Sequence, residues 1–228
     1  MEALDYDQKY VRQKDIIPLE LFQERITVIG AGAVGSSTVL ALAKTGFKRI
    51  RVFDFDNVEI HNMPNQMFRI HDLGKPKVTA LKEIVKDFEG IEITAVNSKF
   101  PNRMMGDTVI VAVDSMDTRI ELWETAKKFE SKVKLYIDAR MGAEVMRLYT
   151  LMPSMKRCVS DYADTLYPSS DAVQAPCTAK ATMYTALMLG SMIVNQAKRS
   201  YMSFMDEEYD YPEFEIIYDL KSGQMLTK

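Results

Sequence analysis

The stretch from Arg25 to Asp56, RITVIGAGAVGSSTVLALAKTGFKRIRVFDFD, constrains the fold of this chain more than any other. It starts with a short, β-branched apolar run, Ile26 to Ile29, which is typical of a strand buried on both faces. Three glycines follow directly in the pattern G-x-G-x-x-G, at Gly30, Gly32 and Gly35. Glycines in this position let the backbone turn sharply and approach a phosphate group closely. The stretch therefore predicts a strand that runs into a phosphate-binding turn.

The residues after the glycines predict a helix and a second strand. The helix spans about Val34 to Thr45, and its first N–H groups would face an anion bound at the turn. The second strand, Ile50 to Phe53, ends at Asp54, 24 residues after Gly30. An acidic residue at about this spacing accepts hydrogen bonds from ribose hydroxyls in dinucleotide-binding folds. A glycine turn between two strands, together with this acid, predicts a Rossmann-type nucleotide site.

Length and patterning set the rest of the architecture. A chain of 228 residues, 47% of them hydrophobic, is long enough for one large α/β domain. We expect that domain to cover residues 25–228, behind an N-terminal arm of residues 1–24. The class we predict is α/β, with a Rossmann-like, mostly parallel central sheet, flanking helices and a C-terminal antiparallel extension. The elements predicted after Asp56 are a loop, a helix starting within 72–77, strands at 91–96 and 108–113, a helix from Asp117, strands at 134–137 and 144–151, an exposed connection at 153–176, a helix at 178–199 and a hairpin of 214–218 with 224–226.

Charge and cysteine content exclude several classes of function. The chain carries 29 basic and 32 acidic residues, a net charge of −3, and no dense basic run, so we expect no nucleic-acid partner. No secretory leader pattern and no apolar run of about 18 residues occurs, which predicts a cytoplasmic protein without a membrane span. The two cysteines, Cys158 and Cys177, lie outside any C-x-x-C pair, so we expect no structural zinc.

Polar residues beyond the glycine turn favour a nucleoside triphosphate over a redox dinucleotide. They are Asp54-Phe-Asp56, Asn62 with Asn65-Gln66, Lys77, and Asp117 after the strand at 108–113. At the carboxyl edge of one sheet they would supply ribose contacts, phosphate donors, a cation at the α-phosphate and a magnesium ligand. An NAD-dependent oxidoreductase is one alternative, but it leaves Lys77 and Asp117 without a role. The set therefore indicates ATP with Mg²⁺, the metal held by Asp117.

Further motifs accompany this set. They are Tyr10-Val-Arg12-Gln13, Gly30-Ala-Gly-Ala-Val-Gly35, Gly74-Lys-Pro-Lys77, Asp114-Ser-Met-Asp117 and a final helix led by Cys177. Together with Asp54-Phe-Asp56 and Asn62, they resemble the ubiquitin-activating-enzyme superfamily, specifically its ThiF/MoeB/HesA-type adenylyltransferases. The first motif is similar to the family's R-Y-x-R-Q arm, and the resemblance covers about Tyr10 to Arg199.

The resemblance implies a homodimeric enzyme that activates the C-terminal glycine of a small ubiquitin-like or sulfur-carrier protein, a β-grasp protein ending in Gly-Gly. The carrier's carboxylate would attack the α-phosphate of Mg·ATP, giving an acyl-adenylate and pyrophosphate. On this hypothesis Lys77 stabilises the transferred phosphate, Asp117 holds magnesium and Asp54 holds ribose. Asn62 orients the polyphosphate together with Arg12, which reaches the partner subunit's ATP.

The chain departs from the family pattern at two positions of the nucleotide site. Asn65 stands where the family has a phosphate-binding arginine, and an amide cannot replace the charge of a guanidinium fork. Ala33 replaces the third family glycine, which leaves the backbone slightly less free to approach the phosphate. The Asn65 change supports a second alternative, a non-catalytic scaffold of the same fold that binds nucleotide or partner.

Two expectations concern the region before the final helix. Cys177 would begin that helix, where the helix dipole lowers the pKa of a thiol. In some relatives the cysteine in this region is catalytic, whereas others stop at the adenylate, so a thioester or persulfide role stays open. The connection at 153–176 would cross the site and guide the carrier's C-terminal tail.

Overall fold

The computed structural model describes residues 6–101, 105–130, 132–171 and 181–228. Its centre is a sheet of eight strands. The strands are β1 (Arg25–Ile29), β2 (Arg49–Asp54), β3 (Thr94–Asn97), β4 (Thr108–Val111), β5 (Leu135–Gly142), β6 (Val145–Leu151), β7 (Glu215–Asp219) and β8 (Gln224–Thr227). Their order across the sheet is β3-β2-β1-β4-β5-β6-β7-β8.

The sheet is parallel from β3 to β5 and antiparallel from β5 to β8. This arrangement confirms the predicted fold class. The register aligns Phe53, Ile29, Val111 and Asp138 in one row across β2, β1, β4 and β5. The residues that follow this row therefore meet at the carboxyl edge of the parallel strands, where open α/β sheets bind their ligands.

Helices cover both faces of the sheet. They are α1 (Tyr6–Lys9), α2 (Ala33–Thr45), α3 (Lys77–Glu89), α4 (Met116–Lys128), α5 (Lys156–Ala163) and α6 (Met183–Met205). Gly46 and Gly90 end α2 and α3 in the left-handed conformation, which glycine adopts without steric cost. Ser115 and Thr182 start α4 and α6 by accepting a backbone N–H of the first turn, which satisfies one of the helix's unpaired donors. None of the described helices is long and apolar enough to cross a membrane.

The two faces of the sheet have different cores. We call the side covered by α2, α3 and α6 the aliphatic face, because its core is built around Val39, Leu42, Leu81, Leu189 and Ile193. We call the side covered by α4 and α5 the aromatic face, and its core contains Trp123, Tyr136, Tyr149 and Tyr162. The rings of Trp123 and Tyr162 lie edge to face with centroids 4.8 Å apart, which is a favoured geometry for aromatic pairs.

The described part of the arm packs against the domain at the C-terminal ends of α2 and α3. Tyr10 and Phe22 are buried, with ring centroids 4.8 Å apart. A 3-10 helix, Leu19–Gln23, follows Pro18 and leads into β1. Lys9 bonds Glu89 at the end of α3, with 2.7 Å between the charged groups. The division into an arm of residues 1–24 and a domain of residues 25–228 stays a prediction.

Several predicted boundaries are wrong. The region 153–176 is not an irregular connection, because it contains α5 and a 3-10 turn, Ser169–Asp171, and its residues 172–176 lie outside the described residues. Only Tyr162 of α5 is fully buried, so the helix leaves little apolar periodicity in the sequence. The last helix runs from Met183 to Met205 rather than from 178 to 199, so it does not begin at Cys177 as predicted. The strand β3 covers four residues rather than 91–96.

Candidate functional site

The glycine turn lies between β2 and the end of β4. Backbone atoms lie so close to two of its glycines that no side chain fits there. Gly30 has a φ of 97° and donates its N–H to the Phe53 carbonyl at 2.8 Å. A methyl group on Gly30 would lie 2.4 Å from the carbonyl oxygen of Ala112, and one on Gly35 would lie 1.9 Å from the carbonyl oxygen of Gly30. Both positions therefore exclude any side chain. At Gly32, by contrast, a methyl group would meet open space.

The helix after the turn starts with Ala33, the residue that replaces the third family glycine. As in any α-helix, the N–H groups of its first turn have no acceptor within the helix. Gly32 precedes them and borders open space. This end of α2 therefore offers backbone donors and a positive dipole end to an anion at the turn.

Asp54 braces the glycine turn. One carboxylate oxygen accepts the N–H of Ala31 at 2.6 Å, and the other accepts the N–H of Asp56 at 2.8 Å. Each carboxylate oxygen has a second lone pair, so both retain capacity for a hydroxyl donor. The predicted ribose-binding acid thus also has a structural role that sequence reasoning missed.

Lys77 and Asp56 form an ion pair beside this turn. The ammonium of Lys77 lies 2.9 Å from Oδ2 of Asp56, and the lysine is buried while the carboxylate is about half exposed. The backbone holds the two residues together as well, because the N–H of Lys77 donates to the carbonyl of Asp56 at 2.9 Å. An ammonium has three donors and Asp56 takes one of them. Two donors therefore remain for a ligand at the edge of the sheet.

The segment after β2 carries three amide side chains and is bonded to the first turn of α2. Asn62 is buried, and its Oδ1 accepts the N–H of Glu59 at 2.8 Å. The N–H of Met67 donates to Oγ of Ser36 in α2 at 3.2 Å, which ties the segment to the helix. The buried amide oxygens of Asn65 and Gln66 have no hydrogen-bond partner among the described residues. Both amide oxygens therefore remain able to accept a hydrogen bond.

Two aspartates follow β4, and they differ in their contacts. Asp117, in the first turn of α4, accepts the N–H of Ser169 on Oδ1 and donates its own N–H to Oγ of Ser169, both at 3.0 Å. Asp114 is exposed, and its carboxylate has no ion pair or hydrogen bond within the described ranges. Among the described residues, no group of three or more His, Cys, Asp or Glu side chains could hold a metal.

Two predicted catalytic residues lie away from this edge or outside the described chain. Arg12 is exposed, and the neighbouring Gln13 donates to the carbonyl of Thr45 at 2.5 Å, at the C-terminal end of α2. A helix of 13 residues is about 20 Å long. The guanidinium of Arg12 is thus at the opposite end of α2 from the glycine turn of the same chain. Cys177 falls within residues 172–180, which the structure does not describe.

A buried charged network beside the site was missed from the sequence. Asp138, fully buried in β5, bonds Arg119 of α4, Arg140 of β5 and the hydroxyl of Tyr162. Burial raises the pKa of Tyr162 well above its usual value, and Tyr136 and Asp138 nearby raise it further. Burial by itself would lower the pKa of Arg140. The negative charge of Asp138 outweighs this effect, so the pKa of Arg140 lies above its ordinary value. The sequence signal was present, because tyrosine, aspartate and arginine alternate in YIDAR and so share one face of a strand.

Comparison with known proteins adds a family and several relatives. The model of the ThiF family matches residues 15–226. The chain is 37% identical over 102 residues to the NEDD8-activating enzyme E1 catalytic subunit of Arabidopsis thaliana, covering 42% of this chain and 22% of that protein. It is 30% identical over 164 residues to tRNA threonylcarbamoyladenosine dehydratase 2 of Saccharomyces cerevisiae, covering 63% and 36%. The chain thus spans about a fifth to a third of the length of these relatives.

A solved structure shares the fold over the whole chain. The crystal structure of E. coli MccB with AMPCPP and MccA has a TM-score of 0.74 and 13% identity, covering 100% of this chain and 73% of that one. MccB has also been crystallised with ATP, and that structure has a TM-score of 0.68 at 14% identity, covering 92% and 64%. At these identities the likeness establishes the fold alone.

Proposed function

The chain belongs to the ThiF family, and from this premise we propose that it is an ATP-dependent adenylyltransferase acting on the C-terminal carboxylate of a small ubiquitin-like or sulfur-carrier protein. The observation that carries the proposal is the group formed by the glycine turn, Asp54, Asp56 and Lys77 at one edge of the sheet. It brings backbone donors, a hydroxyl acceptor and a buried ammonium within reach of one nucleotide. MccB, which shares the fold, is known with ATP.

The chemistry needs charge to be stabilised at the α-phosphate. The carboxylate oxygen would form a bond to that phosphorus while the bond to the β-phosphate oxygen breaks, and pyrophosphate leaves. Lys77 would also donate to the phosphate, because two of its three donors are free and the developing negative charge is a strong acceptor. Asp54 would accept the ribose hydroxyls while it continues to brace the turn. This arrangement favours adenylyl transfer over hydride transfer by an NAD-dependent oxidoreductase, which has no use for the Lys77 ammonium.

The residues after β4 fit a magnesium ion bound with the polyphosphate. Mg²⁺ takes oxygen ligands and is commonly held by one or two carboxylates plus substrate phosphates. Asp117 has Oδ2 available while Oδ1 accepts from Ser169, and Asp114 has both oxygens available. The ion would neutralise the polyphosphate and stabilise the leaving pyrophosphate.

Two proposed contributions require more than the described part of one chain. Arg12 lies at the far end of α2 from its own glycine turn, so in a homodimer it would serve the partner subunit's nucleotide. Such a guanidinium would offset the charge that Asn65 does not supply. Cys177 remains part of the proposal in a second, separable step. Its thiolate would displace AMP from the acyl-adenylate to form a thioester, or, once loaded as a persulfide by a separate persulfide donor, its outer sulfur would attack the acyl-adenylate and release AMP.

Pyrophosphate exchange tests the proposal directly. Wild-type protein with Mg·ATP, radiolabelled pyrophosphate and β-grasp proteins ending in Gly-Gly should exchange label only when a carrier is present. Lys77→Ala should abolish the exchange, and Lys75→Ala is the matched control, because that lysine bonds Asp72 and Glu83 instead of Asp56. Asp114→Asn and Asp117→Asn, compared over a magnesium titration, should raise the magnesium requirement.

The outcomes separate the proposal from its rivals. Nucleotide-dependent thermal stabilisation without exchange for any carrier would favour the non-catalytic scaffold and direct attention to Asn65. Exchange that requires threonylcarbamoyl-modified tRNA rather than a carrier would move the substrate to the class named by the yeast relative. Stabilisation by NAD but not by ATP would overturn the assignment altogether.

A further inference from the structure

The aromatic face of the sheet is not covered along its whole length. Among the described residues, its core contains side chains of β1, β4, β5 and β6 and none of β2 or β3. Residues alternate along β2, so Ile50 and Val52 are buried in the aliphatic core while Arg49 and Arg51 are exposed on the other side. Thr94 of β3, the neighbour of Arg51 in the register, is exposed as well. We call the surface formed by Arg49, Arg51 and Thr94 the open corner.

The open corner carries two unpaired guanidinium groups. Neither Arg49 nor Arg51 has an ion pair or a side-chain hydrogen bond within the ranges that the structure describes. Arg25 of β1 lies beside Arg49 in the register, but its guanidinium donates to both carboxylate oxygens of Asp107, at 2.7 and 3.0 Å. Glu24 lines a cavity on the side of the aliphatic face instead. The open corner therefore keeps two positive charges without a counter-ion.

The spacing of the two arginines suits an anion that repeats along a chain. Residues two apart in a strand lie about 7 Å apart on the same face. Each guanidinium presents a planar fork of donors that matches a phosphate group. The exposed hydroxyl of Thr94 adds a donor of the kind that contacts phosphates in nucleic-acid complexes. Arg49 and Arg51 can therefore each face one of two successive phosphates of a single strand.

Exposed aromatic rings stand at the other end of β2. Phe55, which follows the strand directly, is 58% exposed, and the ammonium of Lys99 lies 5.3 Å from the centroid of its ring. The partly exposed ring of Phe100 covers Phe53, with centroids 4.8 Å apart. Six residue steps separate Arg49 from Phe55, about 20 Å along the strand. Unpaired bases stack on aromatic rings beside cations, so the rings favour a nucleic acid over an acidic polypeptide.

We propose that the open corner binds a single-stranded nucleic acid, with Arg49 and Arg51 on successive phosphates and Phe55 against an unpaired base. RNA and DNA share these phosphates and bases, so both belong in the test. The expectation of no nucleic-acid partner came from the net charge of −3, which averages over the whole surface and hides a local cationic area. The inference goes beyond adenylyl transfer and does not depend on it, because Arg49 and Arg51 lie on the part of β2 before Asp54.

Fluorescence anisotropy with labelled oligouridine and oligothymidine of about 12 nucleotides tests the binding. At about 50 mM salt the wild-type protein should bind one or both, and Arg49→Gln/Arg51→Gln should weaken that binding about tenfold or more and reduce the slope of log affinity against log salt by about 1.4. Arg49→Lys/Arg51→Lys keeps both charges and should keep the slope. The matched control is Arg147→Gln/Lys221→Gln, which removes two exposed cations from the antiparallel part of the sheet and should bind like wild type.

Three results would overturn the inference. The first is no binding of either oligonucleotide by the wild-type protein. The second is an equal loss in the control variant, which would indicate diffuse attraction to the whole surface. The third is competition by polyglutamate as effective as that by unlabelled oligonucleotide, which would assign the open corner to an acidic polypeptide. In addition, an oligonucleotide carrying 4-thiouridine, cross-linked by light, should label the peptide that contains Phe55, and labelling confined to other peptides would overturn the placement of the base.

Nucleotide binding separates this inference from the proposed function. ATP-dependent thermal stabilisation and carrier-dependent pyrophosphate exchange should be unchanged in Arg49→Gln/Arg51→Gln. A loss of ATP stabilisation in that variant would assign the two arginines to the nucleotide site and overturn the inference. Wild-type protein that binds the oligonucleotide through the open corner but shows no exchange with any carrier would overturn the proposed function and support the inference made here.

Discussion

The two faces of the sheet are packed by different kinds of contact, one mainly aliphatic and the other aromatic and charged. The aliphatic face joins α2, α3 and α6 through branched side chains, and its tight α2–α6 contact needs Gly190. On the aromatic face the buried carboxylate of Asp138 accepts hydrogen bonds from two arginines and from Tyr162. The first face holds the helix that follows the glycine turn, and on the second face Arg140 holds Thr165 at the carboxyl edge of the sheet. The comparison teaches that the binding edge is supported by shape on one side and by directed polar bonds on the other.

The largest effect should come from Asp138→Ala on the aromatic face. The change leaves Arg119 and Arg140 buried without their carboxylate, and removing one partner of a buried ion pair costs about 3–5 kcal/mol. Urea denaturation followed by circular dichroism should show a loss of about 4 kcal/mol. Asp107→Ala is the control, because its partner Arg25 is exposed and such pairs contribute about 1 kcal/mol or less. Equal losses in the two variants would contradict the polar support of this face.

Gly190→Ala should be the most damaging small change on the aliphatic face. The added methyl group would lie 2.7 Å from Oγ of Ser37 and 3.1 Å from the N–H nitrogen of Thr38, both in α2. Overpacking of this kind costs about 1–3 kcal/mol, and we expect about 2 kcal/mol in the same denaturation assay. Gly142→Ala, where the methyl group meets open space, should change stability little. A stable Gly190→Ala variant would show that the α2–α6 contact relaxes easily.

Asp72→Asn tests an ion network at the start of α3, next to the aliphatic face. Burial alone would raise the pKa of Asp72, but bonds from Arg69 and Lys75 hold the pKa at about 2. A carboxyl group with a lowered folded pKa stabilises the fold above about pH 4 and loses that contribution as the pH falls toward about 2. The Asp72→Asn change should therefore cost about 2 kcal/mol at about pH 7.

The pH dependence distinguishes this charge effect from a simple packing loss. In denaturation at about pH 7, 4 and 3, the difference between wild type and Asp72→Asn should shrink at the lowest pH. A difference that is constant with pH would indicate lost packing instead. Glu92→Gln, which changes an exposed carboxyl group paired with Lys86 of α3, should show a smaller difference throughout.

The smallest effect concerns a single hydroxyl on the aliphatic face. The hydroxyl of Tyr201 lies 2.7 Å from Oγ1 of Thr108, and both residues are buried. Tyr201→Phe should cost about 1 kcal/mol, the typical net contribution of one buried hydrogen bond. Tyr211→Phe, at an exposed tyrosine, should be neutral. A neutral Tyr201→Phe would mean that this face depends on shape alone.

The parallel half of the fold was predictable because its signals are local. The order of strand, glycine turn, helix and acid is set by residues 25–54, and the structure places β1, α2 and β2 within a residue or so of the prediction. The resemblance to the ThiF family is likewise confirmed. The glycine pattern also predicts close backbone contacts, and in the structure neither Gly30 nor Gly35 has room for a side chain.

The other half was harder because its signals join distant residues. Arg119, Asp138 and Tyr162 lie on three elements, and nothing in the sequence states that they meet. The helix α5 is only eight residues long and buries one residue completely. Its apolar residues therefore show no helical periodicity from which the helix could be predicted. The roles assigned to Arg12, Lys77, Asp117 and Cys177 stay predictions, because they concern ligands and a second chain.

The contact between Gly30 and Ala112 also bears on how the protein is made. During synthesis β1 and the glycine turn leave the ribosome first, yet the strand that walls the turn, β4, follows about 80 residues later. The ribosome-bound chain therefore exposes its glycine turn before Ala112 is available to pack against it. On the proposed function, a nascent fragment that stops short of residue 112 should not retain nucleotide, and emergence of β4, rather than elongation through the glycine motif, should precede binding.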